Sequence, residues 1–388
     1  MSAPSRRPRR RGLVVAALAM ALLAVPVPAA AQAPPLTGEA LGADRLPDCA
    51  AVVESMAPRT RLAQRLMVGV DAADPSATAT TVHDTQVGGI FLGGNATALL
   101  QDQALRGVQT RARIPLAVAV DDEGGRVQRI DELDGSLPSA RRMAAELTPD
   151  EVRELARERA DALVARGVTM NMAPTVDVGT QPAGSVIGDR AFGDDAAAAI
   201  PFARAFAEGQ RGQGVFTVLK HFPGHGHADG DSHRGRVTTP PLDELRGADL
   251  LPYAELVGPD GPLASGEGRD RTGVMVGHLD VPGLTDGLPT SLAPAAYALL
   301  RQDYGFDGLV LTDDLGAMKA VTGTYELPEA VEKALAAGAD MALWSTGGRV
   351  APVLDGLEGA LAGGRLDPTA NDLAVQRVLS AKGVCGRA

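Results

Sequence analysis

The stretch Val215-Phe216-Thr217-Val218-Leu219-Lys220-His221-Phe222-Pro223-Gly224-His225-Gly226 changes character half-way along. Its first half is a near-continuous apolar run, the pattern of a strand buried on both faces of a parallel sheet. That run ends on an ammonium and an imidazole. Proline and glycine then make the next segment a loop rather than a helix face. The loop runs on to Asp231-Ser232-His233, so four of the six histidines fall within 13 residues. A buried strand that ends in polar groups suggests a fold when the pattern recurs along the chain.

It does recur. Short apolar runs occupy residues 66–70, 87–92, 116–121, 168–178, 215–222, 273–279, 309–313 and 341–345. Alanine-rich, charged segments with helical spacing separate several of them, as at 150–165 and 327–337. The polar exceptions, Asp121, Asp177, Lys220, His221, His278, Asp313 and Trp344, fall at the C-terminal ends of the runs. A doubly wound sheet concentrates ligand groups at one switch point. A spread over many strand ends is the habit of a (β/α)8 barrel. The expectation is an α/β protein with one TIM-type catalytic barrel over 56–362. An arm over 34–55 precedes it, and a helix and tail over 363–388 pack on it. A polar insertion at 258–270 has no assignable chemistry.

The first 33 residues read as a secretory signal. Five arginines lie between residues 6 and 11, an apolar run of 15 residues follows, and small residues surround a cleavage zone. That run is shorter than the roughly 20 residues of a membrane span. The expectation is a soluble, extracytoplasmic monomer with no stable membrane insertion. Loss of the five arginines takes the formal charge from -11 to -16, which disfavours nucleic acid as a partner. Cys49 and Cys385 are the only cysteines and lie near opposite ends. In an oxidising compartment a bridge between them is expected over two unpaired thiols.

Four strings carry a family resemblance. They are Val120-Asp121-Asp122-Glu123-Gly124-Gly125-Arg126-Val127-Gln128-Arg129, Ile187-Gly188-Asp189-Arg190-Ala191-Phe192-Gly193, the lysine–histidine loop, and Gly305-Phe306-Asp307-Gly308 leading into Asp313. Over about residues 62–344 the chain resembles the bacterial β-N-acetylglucosaminidases of glycoside hydrolase family three. The resemblance implies the barrel fold independently. It makes Asp313, directly after Thr312, the nucleophile, and His233 with Asp231 the acid/base pair. It gives Asp121, Arg190, Lys220 and His221 to substrate hydroxyls.

The residue chemistry agrees. A strand-end carboxylate is rigid enough to attack an anomeric carbon. A histidine can serve as acid and then as base, and an aspartate can fix its tautomer. The bland readings are a helix-capping role for Asp313 or Asp314 and a surface role for His233. Arg126 is read as a substrate contact or, in preference, a buried structural ion pair. His225 is read as a brace for the loop. His278 and Trp344 are read as substrate contacts or core. His221, His225, His227, Asp229, Asp231 and His233 could be metal ligands, but no spacing matches a zinc signature. No metal and no cofactor are expected.

Only 3% of residues are aromatic, and Trp344 is the lone tryptophan. That leaves material for one or two stacking subsites, which favours an exo-acting enzyme. The expected function is retaining hydrolysis of terminal N-acetylglucosamine from peptidoglycan fragments or chito-oligosaccharides. The alternatives are a β-glucosidase or a phosphorylase of the same family, or a non-enzymatic wall-glycan-binding protein.

Overall fold

A computed structural model describes residues 46–264 and 269–387. The leader and most of the arm therefore lie outside the described residues. The eight expected runs all form strands: β1 Leu66–Val70, β2 Gly89–Leu92, β3 Ala117–Val120, β4 Met170–Asn171, β5 Phe216–Phe222, β6 Thr272–Val276, β7 Leu309–Thr312 and β8 Ala342–Trp344. Every pairing is parallel, in the order β7-β6-β5-β4-β3-β2-β1-β8. A parallel bridge from Leu311 to Met341 links the two ends of that order, with Thr312 N–H donating to Met341 O at 3.1 Å. The sheet is a (β/α)8 barrel.

Alternation along each strand builds two cores. Met67, Phe91, Ala119, Met170, Phe216, Met275, Leu311 and Leu343 fill the barrel interior. Their neighbours, such as Val68, Ile90, Val118, Val274 and Val310, face outward against the helices. The helices Pro149–Ala165 and Ala196–Gly212 pack together over β4 and β5. Thr148 and Glu151 form a capping box at the start of the first, so its N-terminus is fixed locally.

Two expectations need adjustment. The run at 168–178 yields a strand of only two residues, because Pro174 has no N–H for the ladder and the chain turns away toward Asp177. The expected arm also ends in structure. Cys49–Glu54 is a helix, capped by the Asp48 carboxylate, whose Val53 and Cys49 pack on Val375 and Leu379. Those last two belong to Pro368–Ala381, the helix expected in the tail. Cys49 and Cys385 are bonded, with Cα atoms 5.0 Å apart and 336 residues between them.

The floor of the barrel is tied by charge as well. Asp340, almost fully buried, accepts from Arg301 at 2.6 Å, from Arg377 at 3.3 Å and from the Val310 N–H at 2.8 Å. Arg65 donates to Asp340 O and Ala339 O. Among the described residues, no helix is long and apolar enough to cross a membrane.

Replacing both cysteines by serine should lower the unfolding free energy by about 2–5 kcal/mol, since the closed loop spans nearly the whole barrel. Reductant should destabilise the native protein to a similar degree and leave the double variant unchanged. Equal denaturant midpoints for the native and doubly substituted proteins would rule out a stabilising bridge.

Candidate active site

Four strand ends converge at the C-terminal mouth of the barrel. Asp177, beyond β4, is fully buried and organises the loop after β5. Its Oδ1 accepts the N–H groups of His221 at 3.2 Å and His225 at 2.7 Å, and its Oδ2 accepts from His221 Nδ1 at 2.7 Å. Burial pushes this carboxyl up, but the His221 ring and these N–H donors outweigh it and hold it below the usual carboxylate value. The β5–β6 register shifts between Leu219 and Phe222, which re-aims Lys220 and His221. Glycine is required where the loop touches its neighbours. A Cβ on Gly226 would lie 1.7 Å from Val178 O, and one on Gly224 2.3 Å from Asp249 Cβ.

Beside that loop lies a buried charge cluster. Lys220, 2% exposed, contacts Asp121 and Glu123 at 2.5 Å each. Arg190 forks onto both Glu123 oxygens at 2.7 Å, donates to Val186 O at 2.9 Å, and lies 3.5 Å from His221 Nε2. Burial pushes Glu123 up, yet Arg190 and Lys220 hold it far below the usual range. Burial alone would lower Lys220 and Arg190, but the facing carboxylates raise both. Asp121 is the more open of the two carboxylates, with its side chain 23% exposed.

Farther along the loop, Asp231 Oδ1 accepts from His233 Nδ1 at 2.7 Å and from His233 N at 3.0 Å. Those bonds outweigh burial and lower Asp231. The His233 ring is 61% exposed at the mouth. Its backbone is not loose. Ser232 Oγ lies 3.2 Å from His225 Nε2, and Ser232 O and His233 O accept from Ala320 N at 3.1 Å and Lys319 N at 3.4 Å. The acid/base candidate is therefore fastened to the segment that follows β7, which carries Asp313.

Asp313 sits at the end of β7, its N–H donating to Val276 O and its Oδ1 accepting the Asp314 N–H at 2.8 Å. Burial pushes its carboxyl up. The imidazoles of His278 and His221, the Asp314 N–H and His233 together outweigh that and hold it below the usual carboxylate value. The Asp314 N–H is the contribution that persists when the rings are neutral. Asp314 is the structural partner: Oδ1 accepts from Gly316 N at 2.8 Å and Ser345 N at 3.0 Å, and Oδ2 pairs with Ser345 Oγ.

A strand-end carboxylate, a histidine–aspartate pair and a cradle of mixed charge thus lie at one barrel mouth. The profile of the Glycosyl hydrolase family 3 N terminal domain matches residues 59–381. Beta-hexosaminidase LpqI of Mycobacterium tuberculosis (strain ATCC 25618 / H37Rv) is 48% identical over 343 residues, 86% of this chain and 85% of that protein. A glycosyl hydrolase of the GH3 family from Mycobacterium smegmatis is similar with a TM-score of 0.80, at 48% identity over 86% of this chain and 98% of that one. M. tuberculosis LpqI gives 0.81, at 45% identity over 88% and 98%.

This chain belongs to glycosyl hydrolase family 3. It is a glycoside hydrolase, and the other residues singled out in its sequence can be placed against that chemistry.

His225 is buried, braces Ser232, and is pushed down by burial. Arg126 departs from the expected buried ion pair. It is exposed and grips the carbonyls of Ala183 at 2.8 Å and Ile187 at 3.1 Å, with Asp189 at 3.5 Å, so it clamps the segment leading to Arg190.

His278 is buried between Ser291 Oγ at 2.7 Å and Asp314 O at 3.0 Å. A carbonyl can only accept, so Nε2 carries the proton. Trp344 is wholly buried, with Nε1 donating to Gly348 O at 3.2 Å, and takes the core role of the two that were open to it. His221 was expected to donate to a hydroxyl. With Nδ1 committed to Asp177, Nε2 is the ring atom left to face such a hydroxyl.

In the sequence Asp177 has no visible partner and Glu123 stands only as part of a motif. Both are buried carboxylates that fix cationic or imidazole side chains. Among the described residues, no group of three or more histidine, cysteine or acidic side chains is placed to hold a metal.

Glu123→Gln should destabilise the protein by about 3–5 kcal/mol, because it strands Lys220 and Arg190 without their shared carboxylate. Since the folded pKa of Glu123 is depressed, its contribution is present above the unfolded value of about 4.3 and is lost as pH falls toward the folded one. The stability gap between native protein and variant should stay level from pH 8 to 5.5 and narrow below about 4.3. A gap that stays constant through that acid range would contradict the assignment.

Proposed function

We propose that this family 3 hydrolase is an exported, retaining exo-β-N-acetylglucosaminidase acting on peptidoglycan fragments or chito-oligosaccharides. The observation that carries the reading is the fastening of the Asp231–His233 loop to the segment after Asp313, which couples acid/base and nucleophile within one rigid frame. The beta-hexosaminidase names of the relatives support the sugar class. The signal-like leader and the Cys49–Cys385 bridge support export to an oxidising compartment.

In this reading Asp121, Arg190, Lys220 and His221 hold the hydroxyls of the terminal sugar. Asp313 attacks the anomeric carbon while His233, its tautomer fixed by Asp231, protonates the departing oxygen. His233, now neutral, then takes a proton from water, which attacks the glycosyl–Asp313 ester. A neutral imidazole does not repel the Asp313 carboxylate as a second carboxylate would.

Aryl β-N-acetylglucosaminide should be turned over faster than aryl β-glucoside at equal concentration, and added phosphate should give no sugar 1-phosphate. Equal or faster turnover of the glucoside would overturn the sugar assignment.

Asp313→Ala should impair all substrates alike. His233→Ala should lose about 10²–10⁴-fold on a natural disaccharide and far less on an aryl glycoside with a good leaving group. Azide should trap a β-glycosyl azide from that variant. Rates across a leaving-group series test the assignment: a dependence in His233→Ala unchanged from the native enzyme would remove His233 as the acid.

A further inference from the structure

The opposite end of the barrel, where the strands begin, holds a cavity of about 530 Å³. Leu116, Ala117, Met170 and Phe216 make much of its wall apolar, and Lys382 lines it from the end of the C-terminal helix. Lys382 Nζ donates to Gln64 Oε1 and to Gly88 O at 3.4 Å. Among the described residues no carboxylate lies within ion-pair distance of it. The other three of the chain's four lysines differ. Lys220 is locked between Asp121 and Glu123, Lys333 lies 3.7 Å from Glu329, and Lys319 is on the surface.

This setting favours the free amine. An ammonium has three N–H donors and an amine has two, and Lys382 has two acceptors. Loss of one proton leaves both hydrogen bonds intact and frees a lone pair. Asp270 and Arg271 also line the cavity, but no carboxylate among the described residues pairs directly with the protonated form, and burial pushes the group down to about 7.

We propose that Lys382 is a nucleophilic amine and that this cavity is a covalent capture site for small, largely apolar aldehydes. The Nζ lone pair attacks the carbonyl carbon, and the carbinolamine loses its hydroxyl with a proton from nitrogen as water. The product is an imine, with nothing oxidised or reduced. Desolvated lysines form Schiff bases in this way. The site is separate from the sugar-binding mouth and does not rest on the proposed substrate.

The full-length protein would be treated with hexanal and cyanoborohydride at pH 7, and its lysine-containing peptides quantified by mass spectrometry. About half of the Lys382 amine is free at that pH, against roughly one part in a thousand or fewer for an ordinary lysine. Confinement and lower intrinsic nucleophilicity take back part of that advantage. Lys382 should be alkylated at least about tenfold faster than Lys319 and Lys333, with a pH midpoint near 7. Lys382→Met should abolish the fast phase and leave aryl-glycoside turnover unchanged. Lys382→Arg supplies the same control if the methionine variant fails to fold. Labelling of Lys382 at or below the rate of Lys319, or a midpoint near 10, would overturn the proposal.

Discussion

The Asp177 carboxylate is the fixed point on which the active mouth depends. One buried anion receives three donors from the next strand's loop, and it does so without a lysine or arginine of its own. A buried carboxylate costs several kcal/mol to desolvate unless its lone pairs are filled. The loop after β5 fills them only in one conformation, with the N–H groups of His221 and His225 both turned inward. Removing the anion would free the loop, and freeing the loop would leave the anion uncompensated. From this anchor the chain reaches His225, then Ser232, then the Asp231–His233 dyad, and so to the segment after Asp313.

The charge cluster solves a different problem. In the role proposed for it the cluster holds sugar hydroxyls, which both donate and accept and so call for groups of both signs close together. Asp121 and Glu123 face Lys220 and Arg190; the carboxylates raise both cations, and the cations lower Glu123. Glu123 is the buried member that holds both cations. Asp121, more open, is free to share its remaining lone pairs with a ligand. Arg190 is held at its far end by Val186 O, and Arg126 clamps the carbonyls just before it, so the guanidinium is aimed before any ligand arrives. Such positioning reduces the entropy lost on binding.

The eight strands were legible because parallel strands buried on both faces leave unbroken apolar runs. The polar residues that end several of the runs mark the barrel mouth. The over-long run at β4 also has a local cause, Pro174, which lacks a donor and interrupts the ladder although it sits within an apolar run. Roles that depend on pairing were not legible. Asp177 and His221 lie 44 residues apart, and Glu123 and Arg190 lie 67 apart, so no spacing rule connects them. Trp344 illustrates the limit from the other side. A strand-end tryptophan reads equally well as platform or core, and only its complete burial decides. Asp313 and His233 were named from motifs. The two backbone hydrogen bonds that fasten their segments together leave no trace in residue type, because any residue can make them.

The two ends of the barrel are built on opposite principles. At the floor, Asp340 gathers Arg301 and Arg377 while Arg65 binds its backbone, and the disulfide ties the first described helix to the tail beyond the last. Those contacts join segments distant in sequence and need no freedom. At the mouth, the loop from Ala228 to Gly230 is more open; it lies between Gly226 against Val178 and Ser232 against His225, with Asp229 paired to Thr238. A barrel whose strands are locked at one end can carry such a loop without loss of register at the other. In the proposed mechanism His233 therefore stays exposed enough to exchange protons with leaving group and water, while the strand that holds Asp313 stays fixed.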